Sequence, residues 1–504
     1  MSAAPATLES LGLMRRPHHG AVPDGVTPVT GLAVDSRDVQ PGFVFVAIKG
    51  GKLDGAEFAQ YAVRQGAVAV VTTEEGVATA RSDLGALPVP FFTVIEPRAE
   101  LARLAALTHP GQPPVMAAVT GTNGKTSVAH FTRQLWAALG HAAAAFGTTG
   151  IEGEGFEAPL AMTTPEPITL HHILSELATK GCTHAAMEAS SHGLAQYRLH
   201  GVQIAAAGLT NITRDHMDYH ADHDDYVGAK MRLFHEVLNP SGAAVLNADD
   251  PAFALARMSA RGARVIAVGK AESADLRLVS SRFHTDGQDI AFTWQGSTYD
   301  ARLDLIGAFQ ASNAMIAAGL AIACGDDPAA IFAALPKLTG AKGRMERVAR
   351  RANGASVFVD YAHTPDALST ALTAIRPHVT GRLVVVGGAG GDRDPGKRPL
   401  MGQAMTAHAD VVIVTDDNPR SEDPASIRAA VRQGAPDADD IGDRAEAILT
   451  GVDWLTQTGD CLLIVGKGHE QGQERDGAVL PFDDAEQART AVAVLDRDQL
   501  GGLA

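Results

Sequence analysis

Residues 115–139 read VMAAVTGTNGKTSVAHFTRQLWAAL, and the organisation of the chain follows from how this stretch folds. Val115 to Thr120 is a short apolar run suited to a buried strand. From Ser127 onward Val128, Phe131, Leu135 and Leu139 recur at helical spacing on one face. Between strand and helix lie Gly121, Thr122, Asn123, Gly124, Lys125 and Thr126. A glycine turn feeding a helix N-terminus gathers backbone N–H groups around one point, where the helix dipole also favours an anion. Lys125 adds a point charge and Thr126 a hydroxyl able to bind Mg²⁺. The strict nucleotide motif has a glycine where Val119 stands, so this is a shortened phosphate loop. The plainer alternative is an ordinary strand-to-helix turn.

The chain around it has 504 residues, too many for one core, so two to four domains are expected. With 45% hydrophobic and 20% charged residues it reads as an ordinary soluble protein. No apolar run approaches membrane-spanning length, and Met1 to Arg16 lacks the apolar core of a signal peptide, so a cytoplasmic protein is expected. Cys182, Cys324 and Cys461 are scattered without metal-ligand spacing, which fits buried thiols in a reducing compartment. The net charge of −16 argues against a general nucleic-acid or anionic-membrane binder, while leaving room for local phosphate sites.

Before the phosphate loop, strand candidates at Gly31–Arg37, Phe43–Ile48, Ala67–Thr72 and Phe91–Ile95 alternate with alanine-rich helical stretches, as in a small α/β domain. Ser36 and the loop of Gly51, Lys52 and Leu53 are suited to a polar ligand, and turn chemistry explains them equally well. His109 to Pro114 is a proline-rich linker. After the loop, Met162 to Glu166 forms a polar turn ahead of a helix over Ile168–Lys180. A strand from Ala185 ends in Glu188, Ser190, Ser191 and His192, at the strand end where open α/β sheets bind ligands. The histidines and aspartates between Asn211 and His220 suggest a metal, and Mg²⁺ serving a nucleotide is simpler than Zn²⁺; a solvated polar loop is the alternative. The last segment alternates strands at Val357–Val359, Leu383–Val386, Val411–Val414 and Cys461–Val465 with helical stretches, the signature of a parallel sheet. The glycines at 387–391 lack the spacing of a dinucleotide fingerprint, and no internal repeat is visible.

Taken together, VDSR (34–37), TGTNGKTS (120–127), TTPE (163–166), EASSHGLAQYR (188–198), NITRDHMDYH (211–220), DYAHTPDAL (360–368), GGDRDPGKRPLM (390–401), TDDNPRSEDP (415–424) and GKGHE (466–470) resemble, in order and over almost the whole chain, the motifs of the Mur ligase family. These are ATP-dependent acid–amino-acid ligases of peptidoglycan precursor synthesis. The likeness is greatest to the branch that joins meso-diaminopimelate to UDP-N-acetylmuramoyl-L-alanyl-D-glutamate. The resemblance implies an α/β protein of three domains: a UDP-binding α/β domain over 1–112, a central phosphate-loop ATPase with a parallel sheet over 113–340, and a Rossmann-like amino-acid-binding domain over 341–504.

It also implies the site. Gly121 to Ser127, Asn313, Arg344 and Asp360 match nucleotide contacts, and His363 lies beside them. Val34, Ser36, Gly51, Lys52, Leu53, Thr163, Thr164, Ser190, Gln196 and Arg198 match contacts to the UDP substrate. Arg393, Asp417, Asn418, Pro419, Arg420, Gly466 and Glu470 match the diaminopimelate site. Thr126, Glu188 and His216 match Mg²⁺ ligands, and Lys230 matches a lysine carbamylated by CO₂, whose anionic oxygens replace an ammonium that would repel the metal. Lys125, His216 and Lys230 are the catalytic expectations. A hinge at Gly340–Arg344 would let the domains close before reaction, and a monomer is expected. Two other ligases remain as alternatives, a lysine-adding member and a folylpolyglutamate-synthase-like enzyme. A third is a module that hydrolyses ATP as a switch.

Overall fold

The computed structural model describes residues 6–51, 53–213 and 219–501. Contacts divide the chain into two compact units. One comprises Met1–Lys125, Gly140–Leu246 and Asp250–Ile266; the other comprises Thr126–Leu139, Asn247–Asp249 and Ala267–Ala504.

The first unit holds a five-stranded sheet in the order His18–Gly20, Pro90–Thr93, Ala69–Thr72, Phe43–Val46, Gly31–Ala33. The first pair is antiparallel and the rest are parallel. Its three inner strands, Pro90–Thr93, Ala69–Thr72 and Phe43–Val46, are mostly apolar because both faces are covered. Val44, Val46, Val71 and Phe92 pack with Leu101 and Leu104 of the helix Pro97–Thr108, while Phe45, Val70 and Phe91 pack with Ala59 and Ala62 on the other face. That helix has Pro97 in its first turn and a Glu96 cap, and it ends at Thr108, just before the proline-rich linker.

The second sheet of this unit runs Gly150–Glu152, Ala143–Gly147, His184–Glu188, Val115–Thr120, Ile204–Leu209, Leu238–Asn247, parallel except for the first pair. Met116, Ala118, Met187, Leu209 and Leu246 form a core with Leu170 and Leu174 of the helix Pro167–Thr179. The expected strand Val115–Thr120 lies inside this sheet. The crossover leaving it leads to one side while Ile204–Leu209 lies on the other, so its carboxyl end marks a reversal of strand order, the usual ligand position in such sheets.

In the second unit the helix Lys125–Ala138 buries Val128, Phe131 and Leu135 as the spacing predicts, and Leu139 falls in the turn beyond it. The sequence reading passed over an antiparallel meander, Leu276–His284, Gly287–Trp294 and Ser297–Leu303. Its second turn uses Gln295 and Gly296, both at positive φ, as a two-residue hairpin requires. After the helix Ala308–Ala323 comes a six-stranded sheet in the order Glu346–Arg350, Ser356–Asp360, Cys461–Val465, Leu383–Gly387, Val411–Val414, Asp439–Asp440. All its pairs but the first are parallel. The carboxyl ends of the parallel strands therefore share one edge, and the loops that follow Asp360, Gly387, Val414 and Val465 converge there.

Candidate active site

The residues singled out by sequence fall in both units. In the first unit the loop after Val115–Thr120 is tied to the loop after Ile204–Leu209. Thr122 N donates to Asn211 O (2.7 Å), Asn123 N to Asn211 Oδ1 (3.1 Å) and Thr210 Oγ1 to Asn123 O (2.6 Å). The Thr122 hydroxyl lies 2.8 Å from the Tyr226 hydroxyl. Lys125 is half-buried, not exposed as a free loop lysine would be: its Nζ donates to the carbonyls of Gly121 (2.9 Å) and Thr122 (2.7 Å). Lys230, on the helix His223–Arg232, is buried; its Nζ donates to Gly121 O at 2.7 Å and lies 4.5 Å from the Tyr226 ring centre. A helix cap at Asp222 and about two turns of helix thus deliver a second ammonium to the 121–127 loop.

Glu188 ends its strand as expected, and its carboxylate is buried. Thr148 donates to it through N (2.7 Å) and Oγ1 (3.3 Å). Around it Thr164 Oγ1 donates to Glu188 O (2.9 Å) and accepts from Ser190 N (3.1 Å), and Thr163 Oγ1 lies 3.1 Å from Thr148 Oγ1. Ser190 caps the short helix Ser191–Ala195. Arg198 donates to Thr164 O (2.7 Å) and Gln196 Oε1 (2.8 Å) and pairs with Glu166 (2.7 Å). Thr163, Thr164, Ser190, Gln196 and Arg198 are therefore one connected cluster beside Glu188. Val34 is exposed, Ser36 opens a 3-10 turn capped by Asp35, and Gly51 and Leu53 are exposed in a turn closed by Gly50 N donating to Leu53 O (2.8 Å). His216 and Lys52 lie outside the described residues.

Thr126 and Ser127 are buried in the first turn of their helix, and Asn313 is buried with its amide donating to Gln310 Oε1 (3.0 Å). The expected hinge is packed: Gly343 N donates to Glu346 Oε2 (2.7 Å), and the Arg344 guanidinium lies 4.5 Å from the Tyr361 ring centre. Asp360 accepts from Met345 N (2.7 Å) and Ala362 N (2.9 Å); desolvation pushes its carboxyl above the ordinary value against the opposing charge of Arg344.

At the carboxyl edge of the second unit's parallel sheet is a cavity of about 190 Å³. It is lined by the cations Arg393, Lys397 and Arg420 and the carboxylates Asp417 and Glu470, with Asn418 and Gly466 among its walls. Asn418 is held at both ends of its amide: Nδ2 donates to Glu470 Oε2 (2.9 Å), and Oδ1 accepts from buried Lys467 (2.8 Å). Pro419 is buried. Arg420 Nη1 donates to Gly391 O (2.8 Å). Glu422, two residues further along, pairs with Arg398 at 2.8 Å. Burial pulls the Lys397 ammonium below the ordinary lysine value, with Asp417 opposing, and burial lowers His363 on the same wall. Lys397, Lys467 and Tyr361 escaped the sequence reading. Lys397 and Lys467 stand inside quoted motifs, yet a lone lysine carries no signal until the sheet edge gathers it.

The description "Mur ligase family, catalytic domain" matches residues 28–109, "Mur ligase middle domain" residues 119–321, and "Mur ligase, glutamate ligase domain" residues 343–468. The chain belongs to the Mur ligase family. Among its relatives within that family is the UDP-N-acetylmuramoyl-L-alanyl-D-glutamate–2,6-diaminopimelate ligase of Bradyrhizobium diazoefficiens, 51% identical over 92% of this chain and 95% of that protein. The protein of the same name from Agrobacterium fabrum is 49% identical over 94% and 96%. A solved structure of a ligase of that name aligns with a TM-score of 0.71 at 33% identity, covering 98% of this chain and 99% of the other. Mycobacterium tuberculosis folylpolyglutamate synthase complexed with ADP shares the fold alone, with a TM-score of 0.59 at 22% identity over 73% of this chain and 91% of that one. The family has three domains of mixed α/β structure with parallel sheets, as the sequence implied.

Proposed function

We propose that this Mur ligase family member joins meso-diaminopimelate to UDP-N-acetylmuramoyl-L-alanyl-D-glutamate at the expense of ATP, in cytoplasmic peptidoglycan precursor synthesis, and works as a monomer. Its three domains are proposed to divide at 112 and 340, close to the gaps between the family matches. The observation that carries the substrate is the cavity lined by Arg393, Lys397, Arg420, Asp417 and Glu470. meso-Diaminopimelate has two carboxylates and two ammonium groups, and this lining offers cations and carboxylates for both. Lysine lacks one carboxylate and would leave a guanidinium without its partner. A site built for a polar group typically rejects the analogue lacking it by ~10⁴ or more.

A carboxylate does not form an amide directly because oxide is a poor leaving group. An oxygen of the D-glutamate side-chain carboxylate attacks the γ-phosphorus, and ADP departs. The amine of the incoming amino acid then adds to the acyl carbon; the tetrahedral intermediate expels phosphate, and the amine loses a proton. Carboxylate and γ-phosphate are both anionic, so the first step needs fixed positive charge. Lys125 and the N–H groups of the 121–127 loop supply it, with Asn313, Arg344 and Asp360 as further nucleotide contacts. Thr163, Thr164, Ser190, Gln196, Arg198, Val34, Ser36 and the 51–53 loop hold the UDP substrate. Arg393, Asp417, Asn418, Pro419, Arg420, Gly466 and Glu470 hold meso-diaminopimelate.

Thr126, Glu188, His216 and Lys230 would hold Mg²⁺, which when bound neutralises phosphate charge. The hydroxyl and carboxylate donors suit a hard cation. Lys230 suits it only after modification: a carbamate replaces the ammonium with two oxygens that share one negative charge while keeping one N–H for the bond to Gly121 O.

The test is kcat/KM for meso-diaminopimelate and lysine in the wild type and Arg420→Ala. The wild type should strongly prefer meso-diaminopimelate and the variant should lose most of that preference. Comparable use of lysine by the wild type refutes the reading. ATP hydrolysis indifferent to both substrates would favour the switch.

A further inference from the structure

The antiparallel ribbon of Gly472–Arg475 and Ala478–Pro481 stands outside the six-stranded sheet, and it is stitched along the loop 417–420. Gln473 Nε2 donates to Asp417 O (2.7 Å), and Glu474 N donates to Asn418 Oδ1 (2.9 Å). Arg420 N donates to Glu474 O (3.0 Å), and Asp476 N donates to Arg420 O (2.7 Å). Between these backbone bonds Arg420 takes a left-handed conformation, φ +51°. Its side chain is gripped by the same ribbon, with Nε donating to Glu474 Oε2 at 3.0 Å.

We propose that Glu474 is a positioning residue for the incoming amino acid. Resting on the reading that Arg420 receives a substrate carboxylate, it acts by setting the plane of that guanidinium. A planar fork reads a carboxylate through two parallel bonds only when its plane is set, and a long side chain left free must surrender rotamer freedom on binding. Glu474 takes the Nε proton and Gly391 O takes one on Nη1, so two bonds orient the plane while the Nη2 protons and the second Nη1 proton are left to a ligand. The side chains of Arg420 and Glu474 are 21% and 43% exposed, so the pair adds little to stability and its worth is geometric.

The experiment is steady-state kinetics of wild type, Glu474→Ala and Glu474→Gln, with KM measured separately for each substrate and thermal midpoints alongside. Glu474→Ala should raise KM for meso-diaminopimelate roughly tenfold, as small misplacements of a binding group do, and narrow the preference over lysine. KM for ATP and for the UDP substrate should stay put. Glu474→Gln, whose Oε1 can accept the same Nε bond, should retain most of the wild-type value. An unchanged or lowered KM for meso-diaminopimelate in Glu474→Ala overturns the proposal, the lowered value marking Glu474 as a competitor of the substrate. So does a Glu474→Gln as poor as Glu474→Ala, or a rise in all three KM values together with a fallen midpoint. A wild type that cannot use meso-diaminopimelate removes the functional reading and this inference with it; a wild type that uses it beside an unaffected Glu474→Ala removes this inference alone.

Discussion

Lys125 and Lys230 both end at the Gly121 carbonyl, yet the reaction asks different things of them. In the proposed mechanism Lys125 is a cation for phosphate, so Lys125→Ala should cut kcat by ~10³ or more, the scale of losing a fixed charge at a developing anion. Its hydrogen bonds to Gly121 O and Thr122 O are made from a half-buried position, so the fold should lose only about 1 kcal/mol. Ligation within tenfold of wild type, with unaltered circular dichroism, would sink the assignment. For Lys230 the buried bond to Gly121 O offers a purely structural explanation, which makes rescue the decisive measurement. Lys230→Ala should be nearly inactive, and a short carboxylic acid should restore part of the turnover by refilling the anionic position. A structural bond from an ammonium cannot be replaced by a carboxylate, so the absence of any rescue in a folded variant would reject the carbamate.

At the scale of elements, the junction of the strand Val115–Thr120 with its loop depends on one close approach. Gly121 has φ +148°, and a Cβ there would lie 1.8 Å from Thr210 Oγ1. That hydroxyl is engaged with Asn123 O, so it cannot swing aside freely. Gly121→Ala should therefore destabilise the protein by about 2 kcal/mol, in the range of overpacked sites, and weaken nucleotide binding. Thr210→Ala removes the obstructing atom. The double variant should be more stable than the sum of the single effects by about 1 kcal/mol, a coupling expected of residues in contact. Additive denaturation midpoints would show that the loop yields elsewhere.

Across the whole chain, stability should depend on histidines kept neutral. His378 is buried, with Nε2 accepting from Gly307 N (2.9 Å) and Nδ1 donating to His284 O (2.6 Å), so its neutral tautomer joins the turn Arg376–His378 to the start of the helix Ala308–Ala323. Burial holds His378 below the ordinary value, as it does His171 and His200. The unfolded chain then binds more protons than the folded one between the lowered folded values and about 6.5, the ordinary histidine value. The stabilisation is complete above about pH 6.5 and is lost as the pH falls toward the folded values. His378→Leu should cost about 1–2 kcal/mol at pH 7.5, by leaving Gly307 N unpaired, and should flatten the fall of the thermal midpoint between pH 7 and 5. A variant whose midpoint falls as steeply as wild type would show that His378 does not carry this dependence.

What sequence alone determined here is local and periodic. The run VMAAVT, the glycines and Lys125, and the helical recurrence of Val128, Phe131 and Leu135 specify strand, loop and helix by sterics and apolar spacing, and they are where expected. The same holds for Glu188 at a strand's carboxyl end and for the parallel strands near the C-terminus, whose unbroken apolar runs announce burial on both faces. The meander at 276–303 went unread because its two outer strands mix polar, exposed residues with the apolar ones, so pairing with the mostly buried strand Gly287–Trp294, more than composition, makes it a sheet. Tertiary structure alone decided which charges meet. Lys230 reaches Gly121, and Glu474 rather than Glu422 reaches Arg420, because side chains far apart in sequence are brought together only when strands pair and loops converge. The chain order holds no record of those distances.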